Sequence, residues 1–61
     1  MRFEIFRSGL FVKRWYWRLV SDANGEIVAQ SEGYSRRIDA LATVQSIMGN
    51  AHDATVKVIE P

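Results

Sequence analysis

The chain has 61 residues, contains no cysteine and carries a formal net charge of +1 at pH 7. A domain of this length buries only about 60% of the surface that its unfolded chain exposes, so its own core gives marginal stability. Disulfides are excluded, and a structural zinc site is nearly excluded because His52 is the only histidine. Self-association is the remaining common way to stabilise so small a chain.

Composition limits the class of protein further. The 48% hydrophobic content argues against intrinsic disorder, and we expect one domain over residues 1–61. The net charge is too small to imply a polyanionic partner. No basic leader with an apolar region opens the sequence, and no apolar run approaches the ~18 residues that span a bilayer. We therefore expect a cytoplasmic protein that has no membrane partner.

Alternation of apolar and polar residues predicts three strands in the first half of the chain. The first covers residues 2–7 and ends at the turn signal Ser8-Gly9. The second covers residues 12–20 and the third residues 26–31. Asn24-Gly25 lies between these two strands and is a strong short-range signal for a β-hairpin. The sequence therefore predicts an antiparallel sheet.

The register of this hairpin determines which side chains reach the core. The core face of the second strand is predicted to carry Trp15, Trp17 and Leu19. We favour a three-residue loop, Ala23-Asn24-Gly25, with Gly25 in the left-handed conformation. This loop places Ile27 beside Leu19 and Ala29 beside Trp17. The competing register places Ile27 and Ala29 beside Val20 and Arg18, on the opposite face.

A helical period follows the strands. The spacing predicts one amphipathic helix over residues 35–48, which ends at Gly49-Asn50. Its apolar positions are Ile38, Leu41, Ala42, Val44 and Met48, with Ala51 beyond them. Residues 55–60 alternate again and predict a last strand. The expected class is α+β with the order β-β-β-α-β, in which an antiparallel sheet packs on one amphipathic helix.

Four segments carry a resemblance to a known family. They are Phe3-Glu4-Ile5-Phe6, Trp15-Tyr16-Trp17-Arg18-Leu19, Asn24-Gly25-Glu26-Ile27-Val28-Ala29 and Glu32-Gly33-Tyr34. The chain resembles a single-copy member of the YegP-like small-domain family, also called DUF1508 or UPF0339, over nearly its whole length. The resemblance implies a unit that occurs twice in one chain or pairs as a homodimer, with exchange of the last strand left open. It implies no established biochemical activity.

Two departures from the family pattern affect local structure. The segment between Phe3 and Trp15 is longer than the family pattern, so the first turn is expected to differ. Arg36 stands where the family tends to have a serine that caps the helix against an acidic residue at position 39. The reciprocal capping box is therefore expected to be lost or shifted.

No arrangement of residues points to catalysis. His52 and Asp53 are adjacent in a predicted loop, and adjacency in sequence does not orient a nucleophile and its base. No nucleophile elbow and no metal-binding histidine pair accompanies them. We predict no catalytic, cofactor-binding or metal site, and we expect that the protein is not an enzyme.

The outer face of the sheet is the first predicted partner surface. Parity places Phe6, Arg14, Tyr16 and Arg18 there together. Aromatic rings among cations suit single-stranded nucleic acid, because bases stack on rings for ~1–3 kcal/mol each while cations neutralise phosphates. The specific signature of RNA-recognition modules is missing, and a dimer interface or plain surface shows the same residues. We favour the interface or plain surface.

Arg36 and Arg37 are the second predicted partner surface. Two cations in the first helical turn oppose the positive end of the helix dipole, so an anion could bind there. We prefer the interpretation that the nearby acids Glu32 and Asp39 neutralise the two cations, or that the cations are simply exposed and solvated. Taken together, the sequence predicts a small homodimeric binding or interaction module of unassigned biochemical activity. Single-stranded nucleic-acid binding is the alternative, and it would weaken steeply with salt.

Overall fold

The computed structural model describes residues 1–60, which form three strands and one α-helix. β1 (Arg2–Ser8), β2 (Arg14–Val20) and β3 (Ile27–Gln30) make one antiparallel sheet in that order. α1 (Arg37–Asn50) follows and packs on β2 and β1, and a 3-10 turn (Ala51–Asp53) ends it. The predicted α+β class is confirmed. Within residues 1–60, no helix has the length and apolar character needed to cross a membrane.

The register of β1 and β2 separates their side chains into two faces, as strand alternation predicts. The pairs on the face toward α1 are Phe3–Leu19, Ile5–Trp17 and Arg7–Trp15. The pairs on the outer face are Arg2–Val20, Glu4–Arg18, Phe6–Tyr16 and Ser8–Arg14. The faces predicted for β2 therefore hold from Arg14 to Leu19, whereas Val20, which was predicted for the outer face, is buried.

The register predicted for β2 and β3 is wrong. Ile27 pairs with Val20 and Ala29 pairs with Leu19, so neither predicted register holds throughout. The physical reason is a β-bulge in β3, where Val28 is an additional residue between these two pairs. Ile27 and Ala29 are both exposed, so they do not contribute to the core as predicted.

The loop that joins β2 to β3 is also longer than predicted. Ser21 N donates to Glu26 O over 2.9 Å, which closes a loop of residues 22–25. Inside it, Gly25 N donates to Ser21 O over 2.8 Å, and Asn24 Oδ1 accepts from Glu26 N over 3.1 Å. Gly25 has φ +71°, so its predicted left-handed conformation is confirmed.

Beyond β3 the chain continues beside β2. Ser31 N donates to Trp17 O over 3.0 Å, and the Ser31 hydroxyl accepts from Trp17 N over 2.9 Å. Tyr34 and Trp15 then exchange two backbone hydrogen bonds of 2.8 Å. Because Trp15 lies near the start of β2, this bridge brings the start of α1 to the end of the sheet where β1 turns into β2.

The start of α1 differs from the prediction, whereas its end agrees with it. The helix begins at Arg37 rather than at residue 35, and Arg36 is its N-cap with no side-chain capping hydrogen bond. The predicted loss of the capping box is therefore confirmed. The predicted stop at Gly49-Asn50 is confirmed, because Asn50 is the last residue of α1. Asn50 Nδ2 donates to Ser46 O over 2.8 Å in this last turn, and the 3-10 turn follows.

The core of the single chain is small. The buried apolar residues are Val20, Ala40 and Val44. Trp15, Trp17 and Leu19 are half-buried, and the ring of Trp17 makes an edge-to-face contact with Phe3 at 5.7 Å between centroids. Most of the apolar stripe predicted for the helix is exposed, namely Ile38, Leu41, Ala42, Met48 and Ala51. One short sheet covers only part of that stripe.

The predicted last strand is absent from the single chain. Residues 54–60 have no regular secondary structure. Val56, Val58 and Ile59 are 93%, 78% and 81% exposed. The segment has the alternation of apolar and polar residues that a strand needs, but a strand also requires a neighbouring strand to pair with. In the described chain these residues pair with no strand.

Candidate interaction site

An open apolar cleft lies between the sheet and α1. It has a volume of about 690 Å³. Its main apolar lining is Phe3, Ile5 and Leu19 from the sheet and Leu41, Val44 and Met48 from α1. The cleft runs beside β1, which is an edge strand of the sheet and so leaves one row of backbone groups unpaired. An apolar segment in extended conformation could both fill the cleft and pair with this edge.

The C-terminal segment starts at this cleft. Ala51 also lines the cleft, and the chain leaves the 3-10 turn through Ala54 in extended conformation, with φ −70° and ψ 141°. The apolar segment of residues 54–60 therefore begins beside an apolar space that the single chain does not fill. The sequence suggested this segment as a strand, but it gave no indication of the cleft.

The outer face brings together the first predicted partner surface. Phe6 and Tyr16 stack with their ring centroids 5.6 Å apart and their planes 20° apart. The Arg18 guanidinium lies 4.6 Å from the Phe6 ring centroid, and Arg18 Nε donates to Glu4 Oε1 over 2.7 Å. Phe6 and Arg18 are therefore already engaged within the fold. Glu4 is a partner that the sequence interpretation missed, although strand alternation places it opposite Arg18.

Ion pairs extend this contact toward the start of β1. Arg2 Nε donates to Glu4 Oε2 over 3.0 Å, and Arg2 also pairs with Asp22 at 3.0 Å. The hydrogen bond from Arg18, followed by that from Arg2, lowers the pKa of Glu4 below its ordinary value. Bonding to the Met1 amino group, and then to Arg2, lowers the pKa of Asp22 in the same way. These acids neutralise the cations at this end of the sheet.

A shallow hollow remains beside Tyr16 on the outer face. Its volume is about 240 Å³, and its lining is Phe6, Ser8, Tyr16, Gln30 and Ser31. Gly33 approaches it closely, since a Cβ at position 33 would lie 2.7 Å from Arg14 Cδ and 3.2 Å from Tyr16 Cζ. Among the outer-face cations of the prediction, Arg14 has no acidic partner within residues 1–60.

The second predicted partner surface lies at the start of α1. Arg36 Nε donates to Asp39 Oδ2 over 3.1 Å, and Arg36 Nη2 donates to Asp39 Oδ1 over 3.2 Å. This hydrogen bonding raises the pKa of Arg36 above its ordinary value. Arg37 is exposed and forms no ion pair within the described chain. Asp39 therefore acts as the neutralising acid for Arg36.

The histidine considered for catalysis is a surface residue. His52 Nε2 lies 3.3 Å from Asp53 Oδ2, and both side chains are exposed. Across residues 1–60, no three potential metal ligands are grouped closely enough to hold an ion.

Comparison with known proteins adds one finding to this geometry. Residues 13–57 match a family described as a domain of unknown function, DUF1508. The matched part contains β2, β3 and α1 and most of the C-terminal segment. Neither the curated proteins nor the solved structures contain a significant match.

Proposed function

The chain belongs to the DUF1508 family, a domain of unknown function, and on that premise we propose that it is a cytoplasmic homodimeric interaction module without enzymatic activity. The observation that carries the proposal is the apolar cleft together with the exposed apolar segment of residues 54–60. In the proposed dimer, this segment of each chain fills the cleft of the other. The absence of cysteine fits a reducing compartment.

The energetic reason for dimerisation is the exposed apolar surface. Full burial of a valine or isoleucine side chain contributes about 1.5–3 kcal/mol. Val56, Val58 and Ile59 are mostly exposed in the single chain, so most of this contribution is not realised there. The free energy of unfolding of a domain of this size is small. Association through two identical contacts would therefore stabilise the fold of both chains.

The geometric reason is the free edge of the sheet. Phe3 and Ile5 of β1 line the cleft, so a strand that entered it would lie alongside β1. Backbone hydrogen bonds to β1 would then add to the apolar contact, as in other interactions that extend a sheet at its edge. A two-fold arrangement, the commonest symmetry of soluble oligomers, supplies one segment to each cleft.

We expect the parent protein to have the mass of two chains by light scattering at micromolar concentration. Val58→Asp should reduce the mass to that of one chain, because a carboxylate in the apolar cleft would be buried without a partner. Val28→Asp is the matched control, since Val28 is an exposed valine of β3 that does not line the cleft. A parent protein with the mass of one chain would contradict the proposal.

Cross-linking identifies which chain fills the cleft. The protein has no cysteine, so Val58→Cys and Leu41→Cys can be introduced separately, with one variant labelled by ¹⁵N. After unfolding and refolding of the mixture, we expect a disulfide between a labelled and an unlabelled peptide. Val28→Cys in place of Leu41→Cys should give no such product. Failure of the first pair to cross-link would contradict entry of this segment into the partner's cleft.

The alternative function, single-stranded nucleic-acid binding, has narrower support. Tyr16 and Arg14 beside the outer hollow favour it, whereas Phe6 and Arg18 already contact Tyr16 and Glu4. We therefore expect a flat tryptophan fluorescence titration with mixed-sequence single-stranded RNA at low salt. Saturable binding that weakens steeply with salt and is lost in Arg14→Ala, but not in Lys57→Ala, would favour the alternative instead.

A further inference from the structure

The loop between β1 and β2 exposes three consecutive apolar side chains. Leu10, Phe11 and Val12 are 88%, 94% and 70% exposed. They lie at the Ser8 end of β1, whereas Met1 and Arg2 at the other end line the cleft of the proposed dimer. The loop is thus a separate surface, and its role does not depend on dimerisation.

The backbone of this loop folds back closely on itself at Gly9. Gly9 has φ +142°, which L side chains rarely adopt. A Cβ at this position would lie 2.1 Å from the carbonyl oxygen of Val12, so the chain closes on itself at a point where only glycine fits. The two residues that follow, Leu10 and Phe11, form the apex. A closed turn that presents its largest apolar side chains to water suggests that a partner covers them.

The residues around this apex are basic. Arg7, Lys13 and Arg14 flank it, and no acidic residue occurs between Glu4 and Asp22 in the sequence. None of these three cations forms an ion pair within residues 1–60. The nearest acids in the sequence, Glu4 and Asp22, pair instead with cations at the far end of β1. The loop is therefore an apolar apex within a basic collar.

We propose that this loop binds an anionic lipid surface, with Leu10 and Phe11 inserted below the headgroups and the basic collar against the lipid phosphates. A second copy of the same loop is disfavoured as the partner, because two basic collars would repel each other. Nucleic acid would satisfy the cations but offers no apolar phase for Leu10 and Val12. A fluid anionic bilayer satisfies both the apolar apex and the cations around it. The expectation of no membrane partner rested on the lack of a spanning segment, which such insertion does not need.

Vesicle sedimentation tests the proposal with the full-length protein. We expect it to bind vesicles of phosphatidylcholine and phosphatidylserine and to bind vesicles of phosphatidylcholine alone much more weakly. Leu10→Ser with Phe11→Ser should weaken binding to the anionic vesicles at least about tenfold, because apolar insertion is lost. Lys13→Gln should weaken it about fivefold at low salt, and added salt should weaken binding of the parent.

The substituted side chains are exposed, so loss of binding can be separated from loss of folding. Val28→Ser removes an exposed apolar side chain away from the loop and should bind the anionic vesicles like the parent. Far-UV circular dichroism of each variant should match that of the parent. The proposal is overturned if the parent fails to bind anionic vesicles, which would leave a protein partner for the loop. It is equally overturned if the double serine variant binds as the parent does.

Discussion

Trp17→Ala is expected to remove most of the free energy of unfolding of the protein and to lower its Tm strongly. Trp17 lies in the middle of the central strand β2, opposite Ile5, and its ring contacts Phe3 edge to face at 5.7 Å. Removing a core aromatic side chain typically costs about 3–5 kcal/mol. Small domains have total stabilities near the lower end of about 5–15 kcal/mol, so this loss removes most of the stability of the fold.

The measurement is a thermal melt followed by far-UV circular dichroism at one fixed protein concentration, since the proposed dimerisation would make Tm depend on concentration. Phe11→Ala is the control, because it also removes an aromatic ring, but one that is 94% exposed. We expect Phe11→Ala to melt within a few degrees of the parent. If Trp17→Ala melted there too, Trp17 would not be a main part of the core.

Patterns that depend on a single element could be predicted from the sequence. Alternation of Trp15, Trp17 and Leu19 gave the correct faces of β2, because side chains of any strand alternate. The helix was predicted within two residues at each end, since its apolar period extends over several turns. The left-handed Gly25 was also correct, because few other residues adopt that conformation readily.

Features that depend on two elements could not be predicted in the same way. The bulge at Val28 shifts the register of β3, and no residue type signals a bulge of this kind. The strand predicted over residues 55–60 has the right alternation but no neighbour in the single chain. Each outcome depends on a contact rather than on local preference.

The predicted site residues show the same limit. The sequence correctly suggested that Asp39 could neutralise Arg36, because the two are three positions apart around the start of one helix. The pair of Glu4 with Arg18 required the register of β1 against β2 and was missed. The apolar apex at Leu10 and Phe11 was missed because a short apolar run is ambiguous until its exposure is known. The sequence shows the apolar run and the lack of acidic residues around it, but it does not show that the run is exposed.

Ala40→Leu is expected to destabilise the protein more than any other single substitution in α1 that keeps an apolar side chain. Ala40 is 0% exposed, one helical turn before the buried Val44, on the side of the helix that packs against the sheet. Larger side chains in a filled core position cost about 1–3 kcal/mol, and a leucine here must push the helix off the sheet. For a domain of this size, 2–3 kcal/mol lowers Tm by roughly 8–24 °C.

Ala42→Leu is the matched control, because it makes the same substitution two residues later on an exposed position of the same helix. Alanine and leucine differ little in helix propensity, so this variant should melt close to the parent. Equal melting temperatures for the two variants would mean that α1 does not pack through Ala40. A selective loss of stability in Ala40→Leu would establish the helix face in contact with the sheet. The same result would identify the side of α1 that lines the cleft. Leu41 and Met48 line it, and they lie next to the buried face formed by Ala40 and Val44.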